Sequence, residues 1–187
     1  MDLRDIKTWA LIFSFIAMLL IAASYFIGTK DGFLVLQGSG IVFLMSSYLC
    51  NGQYFAMIGL GIGLARCVVF YLYERRDKEA PIVWCYALCA LSFAAYFVVN
   101  LWILQQFHPA DILYLIGLVL YMFVFRIRNI KTVRFVILLP TALSIAYNVW
   151  AASPIFTVIS YCFEMLANII AILKYHVFAR ENKEKNR

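Results

Sequence analysis

The sequence predicts an all-α polytopic membrane protein with seven transmembrane helices, and three observations carry that prediction. Hydrophobic residues make up 65% of the 187-residue chain and charged residues 14%, against roughly half and about a quarter in an ordinary soluble domain. The apolar residues fall in runs close to the roughly 20 residues that cross a bilayer. Lys and Arg sort to alternate links between those runs. Backbone polar groups find no partner in lipid, so runs of this length must be helices.

The first run is Trp9–Ile27. It is too long for a signal-peptide core and is followed by further runs, so it reads as a retained span. Gly28-Thr29-Lys30-Asp31-Gly32 closes it, a turn by composition. The second run, Phe33–Leu49, ends at Cys50-Asn51-Gly52-Gln53, and the third, Tyr54–Tyr73, ends in the charged stretch Glu74–Glu79. Pro81, suited to a first helical turn, opens the fourth, which runs to Leu104 before Gln105-Gln106-Phe107-His108-Pro109 breaks it. The fifth is Ala110–Phe125, with Asp111 placed where a helix N-terminus favours negative charge. A basic link, Arg126–Arg134, leads to the sixth, Phe135–Trp150, which Pro140 should kink. Ala151-Ala152-Ser153-Pro154 turns the chain into the seventh, Ile155–Leu173, and a polar tail follows.

Charge tests the span count independently. With seven spans, one side of the membrane carries Arg4 and Lys7, the other carries 13 Lys and Arg, and Arg66 is left inside a span. Positive residues in short loops mark the cytoplasmic side, which predicts a multi-pass inner-membrane protein with the N-terminus outside and the C-terminus in the cytoplasm. The net charge of +6 therefore reads as topology and attraction to anionic lipid, not as a nucleic-acid footprint. The five cysteines (Cys50, Cys67, Cys85, Cys89, Cys162) fall in or beside spans, without a CxxC or metal-ligand spacing. They read as small hydrophobes, with no disulfide, metal or cofactor expected.

The links also have a rhythm. Spans one to three are joined by a cytoplasmic link and then a very short outer turn, and spans five to seven repeat this about 100 residues later. Tyr48 then matches Tyr147, Ala65-Arg66 matches Ala167-Asn168, and Gly40 falls near Pro140. One intervening helix makes the two units parallel, a plan that transporters use. Residues 1–187 are read as one membrane domain in a 3+1+3 arrangement: a first triple-helix unit at 1–76, a linker helix at 77–107, and a second unit with its tail at 108–187.

Polar residues within the spans mark candidate sites. Arg66 lies deep in span three, and Glu164 lies near the middle of span seven at a similar depth. Intramembrane charges usually face the bundle interior or a water-filled cavity. Three readings stand side by side: a gating or solute-binding pair, an ion pair that docks the two units, or an Arg66 that snorkels to the interface. Thr157, Tyr161, Glu164 and Asn168 share one helix face, which reads as cavity lining or as interhelical glue. Asn148 and Asn100 are weaker candidates, and Pro140 a candidate hinge. The glycines at 59, 61 and 63 suit close helix packing. His108 and His176 fall on opposite sides, and no HExxH, GxSxG, phosphate loop or carboxylate cluster occurs, so the chain is not expected to be an enzyme.

Three stretches, IGLGIGLARCVVFYLYERR, ALSIAYNVWAAS and EMLANIIAILKYH, resemble the YgjV-type family of small bacterial inner-membrane proteins. The likeness rests on Arg66, on Asn148 with Trp150, and on Asn168 with Ile169 and Ile170. That family is similar, distantly, to SWEET, PQ-loop and nicotinamide-riboside transporters, which implies solute movement through a cavity between two triple-helix bundles. The Pro-Gln pair of PQ-loop proteins is absent, Pro140 is the one proline hinge, and Glu164 matches no family motif.

The expectation is therefore a small-solute transporter or facilitator working by alternating access, with Arg66, Asn148, Tyr161, Glu164 and Asn168 lining its cavity. The alternative is a non-transporting membrane protein: an assembly subunit, a sensor or a lipid-interacting protein with a structural Arg-Glu pair. The expected partners are the lipid bilayer and a small solute, with a homo-oligomer left open and neither substrate nor coupling ion specified.

Overall fold

The computed structural model describes residues 3–50, 54–99, 109–151 and 155–178. Among these, the chain is helical and contains no strand. Its elements are α1 (Leu3–Ser24), α2 (Lys30–Cys50), α3 (Tyr54–Arg75), α4 (Ile82–Tyr96), α5 (Asp111–Arg126), α6 (Ile130–Val136), α7 (Leu138–Trp150) and α8 (Ile155–Ile172). A π-helical turn, Leu173–Phe178, continues α8. Among the described residues, five segments are long and apolar enough to cross a membrane: Ile6–Ser24, Lys30–Cys50, Ile82–Val99, Ile130–Trp150 and Thr157–Tyr175. Asn100, His108, residues 51–53 and 152–154 and the tail from 179 lie outside the described residues.

α6 and α7 form one interrupted rod. Pro140 has no N–H to offer the Val136 carbonyl, and its ring crowds that carbonyl. The helix accordingly breaks at Ile137, one turn before the proline. Backbone bonds resume at once on either side, from Ile137 N to Val133 O (2.9 Å) and from Thr141 N to Ile137 O (3.1 Å). The rod starts five residues earlier than the hydrophobic run, because Asn129 caps it by accepting from Lys131 N at 3.0 Å. The basic link is therefore only Ile127–Asn129, and Lys131 and Arg134 are helical.

α2 packs between α1 and α3, and α7 packs between α5 and α8. The two groups meet along two seams, α1 on α8 and α3 on α5, while α4 packs against both α3 and α5. The first seam of α1 with α2 is partly polar. Ser14 and Ser47 hydroxyls lie 2.7 Å apart, Ser47 donates to Ala10 O at 2.8 Å, and Gln37 Nε2 donates to Ser24 Oγ at 3.0 Å. Small residues and hydroxyls of this kind hold helices together where lipid removes the hydrophobic drive.

At Gly40, α2 runs close against α1. A Cβ there would meet Ile21 Cγ1 at 2.6 Å and the Ala17 carbonyl oxygen at 3.2 Å. Gly40→Leu is expected to lower stability by about 1–3 kcal/mol through overpacking. Gly61 on α3 has nothing within 4 Å of its added Cβ. Gly61→Ala should be neutral or stabilise by about 0.5–1 kcal/mol by removing backbone freedom. Thermal unfolding of the two variants in detergent measures this contrast, and equal losses would refute the packing account.

Candidate functional site

Arg66 and Glu164 approach the same space from the two groups of helices. The Arg66 guanidinium carbon sits 4.0 Å from the centroid of the Phe125 ring and 5.4 Å from that of Tyr121. An aromatic face attracts a cation through its quadrupole, more strongly where water is scarce. Arg66 Nε is buried without a hydrogen-bond partner. Glu164 accepts a hydrogen bond from Tyr25 Oη at 2.5 Å.

The expected Arg66–Glu164 ion pair is not formed: among the described residues, no carboxylate lies at ion-pair distance from Arg66. Aromatic faces take the guanidinium and a phenol takes the carboxylate. The two charges remain electrostatic neighbours across the gap.

Around them stands a group of tyrosines. Tyr161 neighbours Glu164, Tyr48, Tyr114 and Tyr147. The Tyr114 and Tyr147 rings lie 5.3 Å apart. Tyr121 Oη lies 2.9 Å from Thr141 Oγ1. Tyr121, Tyr161 and Glu164 lie deep among the helices, yet each keeps accessible surface. A separate outward groove between α2 and α3, lined by Leu34, Gly38, Val42, Leu64 and Val68, is apolar and does not reach these residues.

Beneath the space lies an aromatic floor. Tyr25 is fully buried (0%), and its ring meets Phe33 edge-on at 5.6 Å. Phe33 meets Phe125 at 5.6 Å, and Phe125 meets Tyr121 at 6.5 Å. The chain of rings thus runs from the end of α1, through α2, to α5.

Below the floor the links converge at one charged end. Arg134 is 1% exposed, donates to Ile27 O at 2.6 Å, and holds its guanidinium 4.5 Å from the Tyr175 ring centroid. Tyr175 Oη donates to Phe26 O at 2.6 Å. Lys30, buried at the start of α2, pairs with Glu74 at 3.4 Å and reaches Arg126 O at 3.4 Å. Arg128 faces Glu74 at 3.9 Å and bonds Asp77. Asp77 caps α3 with φ 52°, a left-handed conformation that Asp tolerates better than most residues. Arg126 Nε donates to Ala80 O at 3.0 Å.

The asparagines sit differently. Asn168 is 1% exposed and donates to Arg134 O at 2.7 Å, while its Oδ1 has no partner. It joins α8 to α6 one turn from Glu164. Asn148 is buried and donates to Ser144 O at 2.7 Å. It belongs to a ladder with Ser144 on Pro140 O (2.9 Å) and Thr141 on Ile137 O (2.8 Å). Such bonds to the carbonyl four residues back satisfy and bend a helix. Of the five sequence candidates, Arg66, Tyr161 and Glu164 share one neighbourhood, and both asparagine amides bond backbone.

The sequence reading missed Tyr25, Lys30, Tyr121, Phe125 and Arg134. Aromatic residues at span ends resemble an interface belt, and bases in links resemble topology signals. Asn129, as a cap, was the one available sign that Arg134 lies in a helix.

No curated protein and no solved structure matches the chain. The family model Imp-YgjV, described as bacterial inner membrane protein, matches residues 8–178. Nearly the whole helical chain falls within that match, and the protein belongs to the Imp-YgjV family of bacterial inner membrane proteins.

Proposed function

We propose that the protein carries a small solute across the inner membrane by alternating access between two three-helix units. In this reading α1–α3 form one unit and α5, the α6–α7 rod and α8 form the other, with α4 as the linker of a seven-span, 3+1+3 plan. The supporting observation is the composition of the closed end. Tyr25–Glu164, Phe33–Phe125, Arg66–Phe125, Lys30–Arg126, Arg134–Ile27 and Tyr175–Phe26 each join one unit to the other.

Those contacts are individually modest and local to one end, so a small rotation of the units would break them together. The two seams suit such a rotation. Exchanging the units about an axis along the membrane normal maps α1 on α8 onto α5 on α3. The broken rod at Pro140 would serve as the hinge. The positive-inside rule places the charged end in the cytoplasm, which makes the arrangement closed to the inside. The protein would act as a carrier and not as an enzyme. A second reading, a static scaffold, draws on the asparagines that bond backbone and on Arg134 as a staple.

Thiol labelling separates the two. In a background with the five native cysteines replaced, Tyr161→Cys should react with a membrane-impermeant thiol reagent added from the outside. Leu166→Cys, on the exposed lipid-facing side of α8, should not. A Tyr161→Cys thiol as inert as Leu166→Cys from both sides of the membrane would sink the carrier reading. A fluorescent fusion that matures only in the cytoplasm, placed after residue 187, tests the orientation.

A further inference from the structure

Arg66 and Glu164 come from the two groups of helices and are electrostatic neighbours that form no ion pair. Among the described residues, Arg66 has no carboxylate and Glu164 no cation at ion-pair distance. Their contacts instead are aromatic: Phe125 and Tyr121 against the guanidinium, Tyr25 against the carboxylate. Arg66 Nε is also buried without a hydrogen-bond partner. A charge in such surroundings is costly unless something completes it. Two opposite charges that are neighbours without pairing, at the cavity that the carrier reading requires, would select for a guest that brings both signs.

From this placement we infer that the solute is a small zwitterion with a flat or aromatic body. Its anionic group would meet Arg66, which has a fork geometry suited to a carboxylate. Its ammonium would meet Glu164. Tyr114, Tyr121, Tyr147 and Tyr161 would enclose the body, since ring faces stack on flat apolar groups and attract adjacent cations. A pure anion would leave Glu164 without a cation, and a pure cation would leave Arg66 without an anion. Each half-guest therefore binds more weakly than the whole, because an unmet buried polar group rejects it. The inference rests on the carrier reading for the space itself, and adds the charge class of its occupant.

The experiment is a thermal-shift panel on the purified full-length protein in detergent. Neutral amino acids, aromatic ones included, are compared with the amines and acids obtained by removing one charged group: L-phenylalanine, 2-phenylethylamine and 3-phenylpropanoate form one such set. At millimolar concentration at least one zwitterion should raise Tm by about 2–5 °C, and its two half-charged analogues by less than a third of that. Arg66→Gln and Glu164→Gln should each abolish the zwitterion shift. If either variant fails to fold, the wild-type panel decides alone. An acid or amine that stabilises as well as its parent zwitterion overturns the inference and leaves the carrier reading intact. No shift with any zwitterion overturns it as well. Tyr161→Cys labelling then tells whether the space itself exists, so the two failures remain distinct.

Discussion

Arg134→Ala is expected to lower unfolding stability by about 2–4 kcal/mol, far more than alanine at Arg75 or Arg76. Hydrogen bonds from charged donors contribute about 1.5–3 kcal/mol, and a buried acceptor left unmet costs about 1–3 kcal/mol. Ile27 O would be that acceptor. The stem of the arginine also fills space, since the residue is almost wholly enclosed, and its loss removes packing as well as charge. Arg75 and Arg76, exposed at the end of α3, supply the control. Alanine at either should change stability by about 0.5 kcal/mol or less. Arg134→Lys should recover only part of the loss, because an ammonium cannot reproduce the planar contact with Tyr175 while also reaching Ile27 O.

The same substitution has a transport consequence if the units rock. Arg134 and Tyr175 tie the second unit to the link after α1, so losing one tie favours opening at the charged end. A single cysteine at Tyr121, above the aromatic floor, should then react faster with an impermeant reagent supplied from the cytoplasmic side. Unchanged stability and unchanged reactivity in Arg134→Ala would mean that the staple does nothing.

Much of this architecture could be read from sequence, and the reason is the solvent. Lipid leaves helices as the only option for long apolar runs, so element type followed from hydropathy alone. Charge sorting placed Lys30, Arg126, Arg128 and Tyr175's neighbours at one end, where the structure brings them together. Depth along a helix is set by a fixed rise, so the nearness of Arg66, Tyr161 and Glu164 was also readable.

Partner choice was not readable. Depth says nothing of azimuth, and two charges at one level can face each other or face different rings. Phe125 stands four residues after Tyr121 on α5, and one face presents both rings to Arg66. A hydropathy reading cannot tell that face from lipid-facing aromatics. Tyr25 was hidden for another reason. It lies in the turn just past α1, yet its phenol reaches the carboxylate of Glu164. Helix periodicity stops being informative at such a position.

The largest effect on the site itself is expected from Arg66→Glu, at about 3–5 kcal/mol, together with a failure of Glu164→Arg to rescue it. A carboxylate at 66 would lie on the faces of Phe125 and Tyr121, where the ring quadrupole is negative and repels it. It would also be a buried charge without a cationic partner, which costs several kcal/mol. Were the two residues a direct ion pair, exchanging them would restore the attraction. Because each is held by aromatic partners instead, the exchanged pair gains little. An arginine at 164 would meet Tyr25, whose hydroxyl donates well to a carboxylate and must turn to accept from a guanidinium. The coupling energy in the double-mutant cycle should therefore fall below about 1 kcal/mol. Arg66→Lys, which keeps a cation over the rings, should lose only about 1 kcal/mol. Denaturation of the four proteins of the cycle in mixed micelles gives the coupling directly. A swap that recovers wild-type stability would restore the ion pair as the organising contact and remove the case for a guest that must supply both charges.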